Sequence, residues 1–117
     1  MVGSRFCATK IVNESLKPIL AELKRRLTEL YGARLSQLIL FGSQARGDAT
    51  EDSDVDVLVV LEGEVQHSDE LERISFITSE LSGKLGALIS TVVVSKQDLE
   101  ARKRRIYRSA ANEGIRV

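Results

Sequence analysis

An α/β fold is what this sequence predicts, and three observations predict it. Short apolar runs at Leu38–Phe41, Val57–Leu61 and Ala87–Val94 have the length of strands, and the last is rich in β-branched residues. Between them lie amphipathic stripes, with apolar residues at three- and four-residue spacing. Glycines and short polar residues punctuate the junctions. Strands alternating with helices build a layered sheet. The 117 residues are expected to form a single domain over residues 1–117, long enough for one modest core.

The elements follow in order. Residues 1–12 carry no clear period and are expected to be partly disordered. Leu16, Ile19, Leu20, Leu23, Leu27, Leu30 and Tyr31 then mark the buried stripe of a helix. Asn13 or Ser15 can cap it, Pro18 falls in its first turn, and Gly32 closes it. A strand over residues 37–41 ends at Gly42, and a polar loop runs from Asp48 to Ser53. Val57–Leu61 is apolar on both faces, which predicts a central strand covered on each side, with Gly63 at its exit. Ser68 is the expected cap of a second helix with acids in its first turn. Leu71, Ile74, Ile77, Leu81 and Leu85 form its stripe, and Gly83 and Gly86 bound its end. After the strand at 87–94, Ser95 and Asp98 fit a capping box. It opens one helix that runs through Arg102–Arg105 to the apolar contacts Ile106, Tyr107, Ala110 and Ala111. Ile115–Val117 adds a short extended tail.

Composition narrows the function classes. Lys plus Arg equals Asp plus Glu at 17 each, so net charge gives no reason to expect nucleic-acid binding. Trp is absent and aromatics are few, which argues against a base-stacking surface. A single cysteine, Cys7, allows no intrachain disulfide and makes a reducing cytoplasm the simplest setting. No apolar run approaches a membrane span and no signal-peptide pattern is present. Charge is segregated, however: Asp48–Glu72 holds ten acids and no Lys or Arg, and Arg102–Arg108 holds five bases and no acid. The basic end is either an acidic partner's dock or a solvated face. His67, the only histidine, reads as surface.

The chemistry concentrates in Phe41-Gly42-Ser43-Gln44-Ala45-Arg46-Gly47 and in Ser53-Asp54-Val55-Asp56. Gly42 lets the backbone turn sharply and lets a ligand approach. A helix beginning after Ser43 would turn free N–H groups and a positive dipole end toward phosphate. Ser43 adds a hydroxyl and Arg46 a positive charge. Asp54 and Asp56, two apart on a strand, project to one side and form a hard oxygen site suited to Mg²⁺. A phosphate cradle facing a carboxylate pair is the layout of phosphoryl or nucleotidyl transfer.

Gly42-Ser43-x-x-Arg46-Gly47 followed by Ser53-Asp54-x-Asp56 resembles the signature of the DNA polymerase beta-type nucleotidyltransferase superfamily. The short chain is similar to its minimal nucleotidyltransferase branch, many of whose members are antitoxins paired with a HEPN-domain toxin. The resemblance implies a small mixed sheet with helices packed mainly on one side. It implies Gly42, Ser43 and Arg46 as nucleotide-binding residues, with Arg46 either on phosphate or pairing with a loop acid. It implies Asp54 and Asp56 as catalytic residues holding two Mg²⁺ ions that bridge ATP and the attacking hydroxyl. Gly47 is expected to be structural, and Ser53 to orient the aspartate turn.

One departure stands out. The family uses a third carboxylate on the neighbouring strand as metal ligand and base, yet residues 87–94 contain no Asp or Glu. The expected position falls near Leu88 or Ser90, and Glu51 or Asp52 would have to substitute from the loop. Two functions follow. One is an enzyme moving AMP from ATP to a hydroxyl of a HEPN-like partner protein. The other is a catalytically impaired binding subunit that works by docking. In either, the acceptor surface is expected from another polypeptide, and a homo-oligomer stays open. The C-terminal helix, with Arg102, Lys103, Arg104 and Arg105, is the candidate dock.

Overall fold

The computed structural model describes residues 16–46, 54–102 and 104–117, and all statements of structure below concern these. The expectations for residues 1–12, the Asn13 or Ser15 cap, Gly47, Glu51, Asp52, Ser53 and Lys103 fall outside them. Helix α1 spans Leu16–Tyr31 and a 3-10 turn spans Gly32–Arg34. Strand β1 is Leu35–Phe41, the one-turn helix α2 is Ser43–Arg46 and strand β2 is Val55–Leu61. Helix α3 runs His67–Leu85 into strand β3, Ile89–Ser95. Two short helices, α4 at Lys96–Ala101 and α5 at Arg105–Glu113, lead to strand β4, Ile115–Arg116.

The four strands form one mixed sheet in the order β3-β2-β1-β4. β1 pairs antiparallel with β2 and β4, while β2 pairs parallel with β3 through the α3 crossover. β2 is therefore central, as its two-sided apolar sequence requires. One face presents Leu38, Leu40, Val55, Val57, Val59 and Ile89 to the two long helices, whose Leu20, Leu23, Leu27, Ile74 and Leu81 complete the larger core. The other face presents Ile39, Phe41, Leu58, Val60 and Val94 to Leu99, Tyr107 and Ala110 of α4 and α5. The long helices thus take one side, and the short pair covers part of the other.

Several boundaries differ from the sequence reading: β1 and β2 start two residues earlier than expected, at Leu35 and Val55, and β3 starts two residues later, at Ile89. α3 starts one residue before the expected cap, with Gln66 as N-cap and no side-chain capping bond, so Ser68 lies inside the first turn. Gly83 lies within the helix, and the stop belongs to Gly86, whose φ of 82° is the left-handed conformation that ends helices. The expected single C-terminal helix is two. Arg102 adopts φ 53°, its N–H bonds to the Leu99 carbonyl, and the chain restarts in extended form at Arg104. The Ser95 cap is as expected, its hydroxyl accepting from the Asp98 N–H at 3.1 Å.

Glu70 is buried at the start of α3, at 3 % exposure. The Tyr31 hydroxyl donates to it at 2.8 Å, and Arg73 and Arg34 stand 3.4 and 3.6 Å away, so the charge is compensated while α1 is pinned to α3. Burial, then the bond to Glu70, pushes the Tyr31 phenol well above its usual range. At the other end, Gly114 is squeezed between α5 and β1: a Cβ there would collide with Ile39 Cγ2 and the Ala110 carbonyl. Gly114→Ala is therefore expected to cost about 1–3 kcal/mol through overpacking. A fall in the urea midpoint with unchanged slope measures it.

Candidate active site: a glycine turn against an aspartate

β1 is buried through Phe41 and then stops, because Gly42 takes φ 76°, a conformation a β-carbon disfavours. The turn closes with the Ala45 N–H on the Gly42 carbonyl at 3.1 Å, which starts α2. The amides of Ser43 and Gln44 come before that first bond and have no partner within the helix. Gln44 is buried at 3 % exposure, and its Oε1 has no hydrogen-bond partner among the described residues. Nothing in the sequence distinguished Gln44 from a spacer in the motif. Ser43 and Arg46 are the first and last residues of α2.

The register brings the second half of the motif to this turn. Phe41 sits opposite Asp56 in the β1–β2 ladder, so the chain leaving β1 passes directly over the start of β2. The contact is close: a Cβ built on Gly42 would lie 2.6 Å from Asp56 Oδ2. Glycine is thus required twice at position 42, by its φ and by the carboxylate. Asp56 is half-buried, and Asp54 is exposed just before β2 begins. Alternation along the strand puts both on the face of Leu58 and Val60.

β3 supplies the neighbour. Asp56 is level with Ser90 in the parallel ladder, and the Val55 N–H donates to the Leu88 carbonyl at 2.8 Å. The position beside Asp56 where a third acid would stand is therefore Ser90, with the exposed Leu88 one step nearer the rim. No group of three or more His, Cys, Asp or Glu residues able to hold a metal occurs among the described residues. Two carboxylates on one face fit Mg²⁺ bound through one or two carboxylates plus substrate phosphates, and do not fit an all-protein cage.

A cleft of about 490 Å³ opens beside the turn, lined by Phe41, Gly42, Arg104, Arg105, Ile106 and Ser109. The C-terminal residues are more than sixty positions away in sequence, and only their run of arginines hinted at a role. A larger cavity of about 720 Å³ lies at the opposite end of β2 and β3, between Glu62, Glu64, Asp98 and Glu100. It contains none of the expected site residues, and its acids would repel a polyphosphate. His67 is exposed at its edge.

Gly42→Ala forces the Asp56 carboxylate aside and adds left-handed strain of about 1–2 kcal/mol. Because displacements near 1 Å can cost about 10²-fold, any group transfer that depends on this turn and carboxylate is expected to fall by that order. A matched comparison of turnover and circular dichroism separates this from unfolding.

The chain is similar to several known proteins. The nucleotidyltransferase domain model matches residues 20–116. A Methanocaldococcus jannaschii protein provisionally named protein adenylyltransferase MJ0141 is 40 % identical over 78 residues, covering 67 % of this chain and 78 % of its own. Protein adenylyltransferase MntA of Thermococcus cleftensis is 47 % identical over 49 residues, 42 % of this chain and 48 % of its own. A solved structure described provisionally as a minimal nucleotidyltransferase superposes with a TM-score of 0.56 at 27 % identity, covering 87 % of this chain and 92 % of that one. A Sulfolobus solfataricus structure at 20 % identity, covering 85 % of this chain and 76 % of that one, shares the fold with a TM-score of 0.62. No described helix is long and apolar enough to cross a membrane.

Proposed function

The chain belongs to the nucleotidyltransferase domain family, and on that premise we propose that it is a protein adenylyltransferase. It binds Mg-ATP between the Gly42–Ser43 turn and Asp54 with Asp56, and moves AMP to a hydroxyl of a partner protein. The partner is a HEPN-like toxin, the pair working in the cytoplasm as toxin and antitoxin. The observation that carries this reading is the contact of Gly42 with Asp56 Oδ2, which a Cβ would close to 2.6 Å.

The roles follow from position. The amides of Ser43 and Gln44, the Ser43 hydroxyl and Arg46 hold the phosphates. Asp54 and Asp56 are the carboxylates that would hold Mg²⁺, whose chemistry is to neutralise charge on the phosphate oxygens. The acceptor oxygen forms a bond to the α-phosphorus, the bond to the bridging oxygen breaks, and pyrophosphate leaves. With Ser90 where a carboxylate base would stand, the acceptor proton passes to solvent at the open rim near Asp54. A serine cannot take that proton near neutral pH, so turnover is slow.

Ser90 also favours a second reading, in which the chain keeps the fold and acts by docking on its partner. One experiment separates the two. The protein, ATP and Mg²⁺ are incubated with the product of the adjacent gene, and the partner is weighed intact. Gain of one or more AMP units, lost in Asp54→Asn, supports the enzyme. No gain with undiminished complex formation supports the docking subunit.

A further inference from the structure

The basic run at the C-terminus reads from sequence as an acidic partner's dock or a solvated face, and the fold sets part of it beside Gly42. The break at Arg102 ends α4 and swings the chain into an extended Arg104 before α5 begins. That break places Arg104 and Arg105 in the wall of the same cleft as Gly42. Arg104 is further held by the ring of the buried Tyr107, 5.9 Å from its guanidinium carbon. Among the described residues neither guanidinium is in an ion pair with a carboxylate. Phe41 and Ile106 give the cleft an apolar side, and the two arginines give it a cationic one.

We propose that Arg104 and Arg105 bind the β- and γ-phosphates of the nucleotide, the part that leaves as pyrophosphate. This deepens the adenylyltransferase reading and rests on it. Two guanidiniums beside Gly42 offer forked N–H donors where a polyphosphate held at the turn would extend. Charge accumulates on pyrophosphate as the bond to the α-phosphorus breaks, so cations at that end favour departure. They also give a reason for ATP to bind better than AMP, which carries nothing for them to hold.

The test is a ladder of fluorescent ATP, ADP and AMP analogues titrated in Mg²⁺ against the wild type and Arg104→Gln/Arg105→Gln. The expected result is a loss of ATP-analogue affinity of about tenfold or more, with AMP-analogue affinity changed less than about twofold. Arg104→Lys/Arg105→Lys, which keeps the charges, is expected to recover most of the ATP preference. An unchanged ATP-to-AMP ratio in the glutamine variant overturns the proposal, as does an equal loss for all three nucleotides. Loss of partner capture with that ratio intact overturns it in favour of the docking role. If the wild type binds no Mg-nucleotide, the adenylyltransferase reading falls and this falls with it. If the wild type binds and the glutamine variant keeps its ratio, only the arginine assignment fails.

Discussion

Asp56→Asn is expected to abolish AMP transfer while leaving the fold intact. The side chain is half-buried against Gly42 and opposite Phe41, so asparagine fills the same space with one oxygen instead of two charged ones. In the proposed function Asp56 would hold Mg²⁺, and metal neutralisation of the phosphates supplies several kcal/mol to such a transfer, about 10³-fold or more in rate. Intact-mass measurement of the partner reads this directly. Circular dichroism of the variant should match the wild type, since asparagine occupies the same space. A variant that melts early would mean the carboxylate is structural.

Ser90→Asp is the complementary expectation, a gain. Ser90 is level with Asp56 in the parallel ladder and shares its face, so a carboxylate there stands beside Asp56, where the proposed metal and acceptor would lie. General-base catalysis is typically worth about 10²–10⁴-fold, and turnover should rise by an amount in that range. Without metal, the added like charge opposite Asp56 should lower stability by up to about 1 kcal/mol. The pH profile discriminates: a carboxylate base adds an acidic limb to the rate that the serine protein lacks. A docking-only protein shows no turnover in either form.

Much of this was legible in the chain because local rules and tertiary context agree. The β2 run is apolar on both faces, and it is central with a core on either side. That the Gly42–Ser43 turn and the aspartates share one pocket was an expectation from the motif, whereas the pairing of Phe41 with Asp56 that sets Gly42 against the carboxylate came only with the β1–β2 register. The ambiguity between Leu88 and Ser90 needed the β2–β3 register to resolve, because a strand's sequence carries no record of its partner's phase. The break at Arg102 was illegible, since left-handed φ at a non-glycine residue has no local signature. Its consequence, two arginines beside Gly42, was equally hidden. Gln44 escaped for another reason: burial of a polar residue depends on what the fold lays over it.

The most direct measurement replaces Mg²⁺ with Mn²⁺ and follows free Mn²⁺ by electron paramagnetic resonance, with and without a non-hydrolysable ATP analogue. If the glycine turn and the aspartates form one pocket, the protein–analogue mixture should bind Mn²⁺ beyond what each binds alone. That excess should disappear in Gly42→Ala and in Asp56→Asn alike. Excess binding that survives both substitutions would contradict a shared metal–triphosphate site.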